Sequence, residues 1–254
     1  MNVDFLRPLG ATVRDVSPAE LSPGQVGELR ELLAARGVVH FPDQSIDDDA
    51  FVAFLRSFGE LAFTAGETPA PGHPELNVVS NIGRTTPPRS SFHVDTSYVR
   101  HPPVYTALRG VIVPAEGGET LFTDQYRAYD TLPRAIRNRL SERTITHVVT
   151  GVEPGPDDEA AAEHPIFCRH PISGRMVLYM STPARCASIN GMAQPEARAT
   201  IQFLFERSTR PENTLRHRWH PGDLLIWDNR CVLHRADHAH VTGDRVMHRG
   251  MVAG

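Results

Sequence analysis

Residues 222–235 read Gly-Asp-Leu-Leu-Ile-Trp-Asp-Asn-Arg-Cys-Val-Leu-His-Arg. Two short apolar runs, Leu224–Trp227 and Cys231–His234, flank a polar turn that we expect Asp228 and Asn229 to shape. Runs of the same kind, separated by Gly, Pro and Asp, recur outward along the chain: Leu76–Ser80, Phe92–Asp95, Val104–Val113, Thr144–Val149, Met176–Ser181, Leu215–Trp219 and Arg245–Val252. This pattern predicts a mainly β domain, a sandwich or barrel, interrupted by helices near residues 133–140 and 195–207.

The first sixty residues predict two helices around a short strand. Ser22 and Pro23 are typical of a helix start, and Gly37 of its end. A strand is expected at 38–41, and a second helix before Gly59. Because there is no internal repeat or linker, we expect one domain over 1–254, with a helical part at 1–60 packed on the β core.

The composition argues against several classes of function. The 254 residues carry a formal charge of −4 without a basic block, which argues against a nucleic-acid partner. All 26 basic Lys+Arg residues are Arg, so mechanisms that need a Schiff-base or P-loop lysine are excluded. The apolar runs are too short to span a membrane, no secretory signal is visible, and the three cysteines match no disulfide framework. We therefore expect a cytoplasmic protein that acts on a small molecule, without a membrane partner.

The segment His93-Val94-Asp95 places two metal-ligand side chains two residues apart. On a strand, residues i and i+2 point to the same face, so both could hold one ion. A rival, His73-Pro74-Glu75, lies in a stretch rich in Gly and Pro. This composition predicts a loop, in which the segment is structural or incidental. His–x–Asp alone is a weak signal, and the residues around it give it weight.

Four further residues downstream of Asp95 complete the set. His234 ends the second apolar run, and Arg245 and Arg249 follow it by 11 and 15 residues (245 − 234 and 249 − 234). Thr120 comes earlier, in Gly117-Gly118-Glu119-Thr120. An arginine can bind a carboxylate with two parallel hydrogen bonds, and a threonine hydroxyl can add a third donor.

This ordered set resembles the taurine/2,4-dichlorophenoxyacetate dioxygenase family of Fe(II)/2-oxoglutarate oxygenases. The resemblance extends over nearly the whole chain and includes Gly-Val-Val-His-Phe-Pro-Asp-Gln at 37–44, His-Pro-Ile-Ser-Gly-Arg at 170–175 and Arg-Val-Met-His-Arg at 245–249. It implies a double-stranded β-helix, a distorted cupin-like jelly roll. It also implies Fe(II), 2-oxoglutarate and O2 as cofactor and cosubstrates.

The resemblance further implies site roles. His93, Asp95 and His234 would be the catalytic iron ligands, a set that suits non-haem Fe(II) because it leaves positions open. Arg245 and Thr120 would bind the far carboxylate of 2-oxoglutarate. Arg249 would lie near the iron-bound end of 2-oxoglutarate or near the substrate.

The implied reaction is hydroxylation of an unactivated C–H bond of a small, acidic organic substrate, with release of succinate and CO2. Desaturation, epoxidation and cyclisation share the same ligands, whereas the carboxylate of Asp95 argues against halogenation. Residues 63–72 lack the histidine that the family uses for sulfonates, so taurine is not expected. Substrate-contact candidates are Asn81, Arg89, Tyr98 and Arg249, and a homo-oligomer would be common for the family.

Two other classes stay open at this point. One is a non-catalytic jelly-roll protein that keeps the metal ligands as a structural site. The other is a zinc-dependent, cupin-like isomerase or hydrolase. An anaerobic visible spectrum separates them, because only an oxygenase is expected to give a weak charge-transfer band with iron and 2-oxoglutarate.

Overall fold

The structure is a computed structural model that describes residues 1–64, 67–84, 90–151, 153–156 and 158–254. The helices are α1 (Pro23–Arg36), α2 (Asp48–Phe58), α3 (Gln125–Asp130), α4 (Arg134–Leu140) and α5 (Gln194–Ser208). The strands are β1 (Asn2–Phe5), β2 (Ala11–Arg14), β3 (Val38–Phe41), β4 (Leu61–Ala62), β5 (Pro69–Ala70), β6 (His73–Ser80), β7 (Tyr105–Ile112), β8 (Thr120–Asp124), β9 (Thr144–Val148), β10 (Ala161–Pro165), β11 (Phe167–Arg169), β12 (Met176–Leu178), β13 (Cys186–Ile189), β14 (Thr214–His217), β15 (Leu224–Asp228), β16 (Val232–Ala236) and β17 (Val246–Val252).

Two sheets enclose the part of the molecule that holds the predicted site. The larger sheet has the strand order β1-β2-β3-β15-β7-β17-β6-β5, with β4 also paired to β17, and the smaller one is β14-β8-β16. Apolar side chains from both sheets, including Phe122, Leu225, Trp227 and Met247, form one core cluster between them. The mainly β, jelly-roll prediction with helical decoration is confirmed.

Strand β15 shows how alternation builds the layers. Leu224 and Ile226 join the core cluster under the helices, whereas Leu225 and Trp227 join the cluster between the sheets. Successive strand residues point to opposite faces, so a fully buried strand of this kind reads as a continuous apolar run. This is why the quoted segment carries so strong a signal.

The N-terminal helices cover the outer face of the larger sheet. Helix α1 begins with a capping box, in which the Ser22 hydroxyl accepts from Gln25 N at 3.3 Å and the Gln25 side chain accepts from Ser22 N at 2.9 Å. It ends at Gly37, whose φ of 77° suits glycine. Helix α2 buries Phe51 and Phe54 on the same face of the sheet. Both helices agree with the sequence prediction.

The sequence prediction departs from the structure in several places, and it gives no element for α3, β8, β10, β11 or β13. It missed the hairpin of β1 and β2, so the first sixty residues contribute three strands to the larger sheet. It placed His73-Pro74-Glu75 in a loop, but these residues begin β6. In the described parts of the chain, β17 pairs only with the later residues 77–80 of β6, and the short strand β5 pairs with His73, so Pro74 costs no ladder bond. The expected strand Phe92–Asp95 is reduced to a single bridge between His93 and His234.

Within the described residues, no helix combines the length and the apolar character that crossing a membrane requires.

Candidate metal centre and cosubstrate site

A backbone bridge brings the two predicted histidine ligands together. His93 N donates to His234 O, and His234 N donates to His93 O, each at 3.0 Å. The two imidazole centroids therefore lie 4.4 Å apart, although the residues are far apart in sequence. Asp95 follows two residues after His93 and completes the group.

The donor atoms of this group converge. Nε2 of His93 and Nε2 of His234 each lie 3.5 Å from a carboxylate oxygen of Asp95, and all the ligand atoms lie within 4.8 Å of one another. Nδ1 of His93 lies 2.9 Å from Ser91 O. Because a carbonyl only accepts, Nδ1 carries the proton and Nε2 keeps its lone pair for a metal.

Two other groups of potential ligands differ from this one. In one, His40 Nε2 and His217 Nε2 lie 2.9 and 3.1 Å from the two oxygens of Asp223. In the other, His170 Nε2 lies 3.0 Å from Asp228. These are ordinary hydrogen bonds, whereas the 3.5 Å separations around Asp95 are too long for good ones. The His93, Asp95 and His234 group is therefore the one that fits an ion.

The protonation states suit metal binding. Burial lowers the pKa of His234 to about 3, so its imidazole is neutral near pH 7. Burial by itself raises the pKa of Asp95, but nearby positive charge, including the Arg249 guanidinium, outweighs burial and holds the pKa of this carboxyl well below its ordinary value. Two neutral imidazoles and one carboxylate are the forms that ligate divalent metals.

A chain of buried hydrogen bonds fixes the orientation of Asp95. Thr106 Oγ1 donates to Asp95 Oδ2 at 2.9 Å, and Asn229 Nδ2 donates to Thr106 Oγ1 at 2.8 Å. The Trp227 indole N–H in turn donates to Asn229 Oδ1 at 3.0 Å. Sequence reasoning missed Thr106 and gave Asn229 only a turn role, because the hydrogen bond that links these two residues spans 123 positions of the chain.

Strand alternation directs Arg245 and Arg249 to the same side. Arg245 directly precedes β17, and its backbone oxygen accepts from Asn81 N at 3.1 Å. Residues 245, 247 and 249 therefore share a face, and Met247 belongs to the core cluster between the sheets. Both arginines line a cavity of about 400 Å³ together with His93, His234 and Thr120. The cavity also takes in Glu67, Thr68, Val78, Val79, Ser80, Asn81, Arg84, Ser90, Leu108, Trp227, Ala236 and His238.

Arg245 is a buried cation that lacks an acidic partner in the part of the chain that is described. It is 2 % exposed, its Nε donates to Gly118 O at 3.0 Å, and its Nη2 has no hydrogen-bond partner there. Burial lowers its pKa from the ordinary 12.5 to about 10. Such a group is costly unless an anion binds it, so the pocket fits a carboxylate at this end.

Thr120 lies on the same cavity and is 1 % exposed. Its Oγ1 accepts a hydrogen bond from Trp219 Nε1 at 3.0 Å, which leaves the hydroxyl hydrogen available for an anion. Gly118, two residues earlier, has φ of 72°, and a Cβ there would lie 2.9 Å from Arg245 Cδ. Glycine at this position thus makes room for the arginine.

The substrate-contact candidates fall in different places. Asn81 lines the cavity, but its Oδ1 accepts from Arg245 N at 2.7 Å and its Nδ2 donates to Gly243 O at 3.1 Å, so it also holds the start of β17. Tyr98 is buried and is not among the described residues that line the cavity. Arg89 lies outside the described residues.

Arg249 is paired twice within the cavity. Its Nη1 lies 3.3 Å from Asp95 Oδ1, and its Nη2 lies 2.5 Å from Glu67 Oε2. Sequence reasoning missed Glu67, which lies in a stretch rich in Gly and Pro and matches no motif.

Comparisons with known proteins agree with this geometry. The family model described as "Taurine catabolism dioxygenase TauD, TfdA family" matches residues 4–251. The alpha-ketoglutarate-dependent 2,4-dichlorophenoxyacetate dioxygenase of Cupriavidus pinatubonensis is 30 % identical, over 96 % of this chain and 94 % of the relative.

Solved structures extend the agreement. A taurine dioxygenase from Burkholderia xenovorans superposes with a TM-score of 0.87 at 33 % identity, covering 100 % of this chain and 90 % of that one. AAD-2, solved in complex with Mn(II) and N-oxalylglycine, has a TM-score of 0.87 at 26 % identity, covering 100 % of this chain and 97 % of that one. The two alternative classes, a non-catalytic metal protein and a zinc isomerase or hydrolase, receive no support. The chain belongs to the TauD/TfdA family of alpha-ketoglutarate-dependent, non-haem iron dioxygenases.

Proposed function

We propose that this dioxygenase hydroxylates a C–H bond of a small organic molecule in the cavity between the two sheets. His93, Asp95 and His234 would hold Fe(II), and Arg245 with Thr120 would bind the far carboxylate of 2-oxoglutarate. The whole chain, 1–254, would form one oxygenase domain, since β2 and β3 of the N-terminal part are hydrogen-bonded into the larger sheet.

One observation carries the proposal. Three converging metal donors line or border one cavity, together with a buried arginine nitrogen that has no hydrogen-bond partner among the described residues. A structural metal site would need the donors but not the buried cation. A cosubstrate that binds the metal at one end and a cation at the other accounts for both.

When bound, iron and 2-oxoglutarate supply the oxidation of a C–H bond by O2, with succinate and CO2 as coproducts. The residues of the chain provide binding, orientation and exclusion of water. Thr106 orients the carboxylate of Asp95, and Ser91 O orients the imidazole of His93. Leu108 and Trp227 give the cavity apolar walls that keep bulk water from the reacting carbon.

The experiment is succinate formation from 2-oxoglutarate with Fe(II), ascorbate and O2, across a panel of small acids, amides, amines and sulfonates. We expect formation of succinate to rise with at least one compound and to disappear in His234→Ala. His220→Ala is the matched control, because His220 is 67 % exposed and belongs to the separate Asp223 group. Succinate formation that survives in His234→Ala, or a lack of succinate with every compound despite bound iron, would overturn the proposal.

A further inference from the structure

The Glu67–Arg249 ion pair sets the charge of the substrate region. Glu67 lies between β4 and β5, its side chain is 29 % exposed, and it lines the cavity. The Arg249 side chain is 12 % exposed. An ion pair that is mostly removed from water is screened by salt far less than a surface pair.

The two cavity arginines therefore differ in what they offer. Arg245 has no acidic partner among the described residues and is the proposed partner of 2-oxoglutarate. Arg249 already has two carboxylates within 3.3 Å, one from Asp95 and one from Glu67. A carboxylate or sulfonate brought to Arg249 would also meet the negative charge of Glu67, and like charges at such range repel.

Glu67 instead offers the substrate a carboxylate oxygen that accepts hydrogen bonds. Its Oε2 faces Arg249, and its Oε1 has no hydrogen-bond partner in the described parts of the chain. Arg84 also lines the cavity, but its side chain is exposed and solvent weakens its attraction for anions. The inner end of the cavity is thus suited to a hydrogen-bond donor.

We propose that Glu67 is a specificity-determining residue that selects substrates with an uncharged polar or amino group, in place of an acid, at the end facing Arg249. The inference rests on the proposed function and names its substrate class. It departs from the small, acidic substrate that the sequence analysis predicts, because the ion pair with Glu67 satisfies the charge of Arg249 internally.

The test is calorimetric binding under anaerobic conditions to the full chain loaded with Fe(II) and 2-oxoglutarate. The paired probes are 2,4-dichlorophenoxyacetate and its primary amide, which share ring and chain and differ in charge. The variant is Glu67→Gln, which keeps the shape and removes the charge. Glu60→Gln is the control, since Glu60 is exposed and only its backbone oxygen accepts a bond, from Ala253 N.

We expect the wild type to bind the amide at least about tenfold more tightly than the acid. Glu67→Gln should tighten binding of the acid at least about tenfold and leave the amide unchanged, because removal of one nearby like charge favours only the anion. Glu60→Gln should change neither value.

Three results would overturn the inference: tighter or equal binding of the acid by the wild type, an equal shift for both probes in Glu67→Gln, or no change of the acid in that variant. Failure of 2-oxoglutarate itself to bind the iron-loaded wild type is a separate result. It would overturn the proposed function, and this inference with it.

Discussion

Replacing Arg245 by methionine should affect stability and cosubstrate binding in opposite directions. The side chain is 2 % exposed, and Nη2 has no partner among the described residues. An unpaired buried cation destabilises the protein alone, yet it becomes the partner of a carboxylate once 2-oxoglutarate binds. Methionine keeps much of the volume and carries no charge.

The magnitudes follow from the local contacts of Arg245. Burial lowers its pKa from 12.5 to about 10, which corresponds to ~3 kcal/mol against the charged form. Loss of the hydrogen bond from Arg245 Nε to Gly118 O offsets about 1 kcal/mol of this gain in stability. The net gain of ~2 kcal/mol should raise Tm by about 4–8 °C in a protein of this size. Losing one partner of a buried charge pair costs about 2 kcal/mol or more, which weakens 2-oxoglutarate binding about 30-fold or more.

The assay is thermal unfolding of the metal-free protein, together with anaerobic titration of 2-oxoglutarate into the iron-loaded protein. Arg218→Met is the control, since Arg218 is exposed and lies outside the cavity. A lower Tm for Arg245→Met combined with unchanged 2-oxoglutarate affinity would refute the reasoning, because Arg245 would then be a structural residue.

Three other changes test separate parts of the account. Thr106→Val removes the 2.9 Å hydrogen bond to Asp95 and should weaken Fe(II) binding about 10–100-fold in an anaerobic titration; unchanged affinity would contradict the orienting role. Gly118→Ala should destabilise the fold by about 1–2 kcal/mol in urea unfolding, because φ is 72°, and raise the KM for 2-oxoglutarate by displacing the arginine; an unaltered KM would contradict the close packing. His147 is fully buried, and burial lowers its pKa to about 3. Its contribution to the free energy of unfolding is therefore fully present above pH 6.5, and it is lost as pH falls toward 3, because the unfolded chain takes up a proton that the folded protein does not. His147→Phe should therefore lose less unfolding free energy than wild type between pH 7.5 and 5, and an equal loss would count against this origin.

Much of the fold could be predicted because most strands are apolar runs between turn residues. The segment 222–235 contains both faces of β15, and the helix signals around Ser22 and Gly37 are local. The hairpin of β1 and β2 was missed because its strands are only four residues each, too short for the alternation of apolar and polar residues to identify a strand. The strand β6 was partly missed because an edge position tolerates Pro74, and neighbours in space are not visible in sequence.

Site residues whose placement depends on local spacing could be predicted, whereas those placed by contacts far apart in sequence could not. Arg245 directly precedes β17 and Arg249 lies on it, so their even spacing of four residues places both on one face. The positioning residues Thr106 and Asn229 depend on a contact between neighbouring strands that are far apart in sequence, and they matched no motif. Glu67 was invisible for the same reason, since its role exists only through the ion pair with Arg249.

The central claim is that His93, Asp95 and His234 bind iron next to a 2-oxoglutarate site. The most direct measurement is an anaerobic visible absorption titration with Fe(II) and 2-oxoglutarate together, on the wild type and on His234→Ala. We expect a weak charge-transfer band that saturates in the wild type and is lost in the variant. Absence of the band in the wild type with iron bound, or an equal band in both proteins, would contradict the claim.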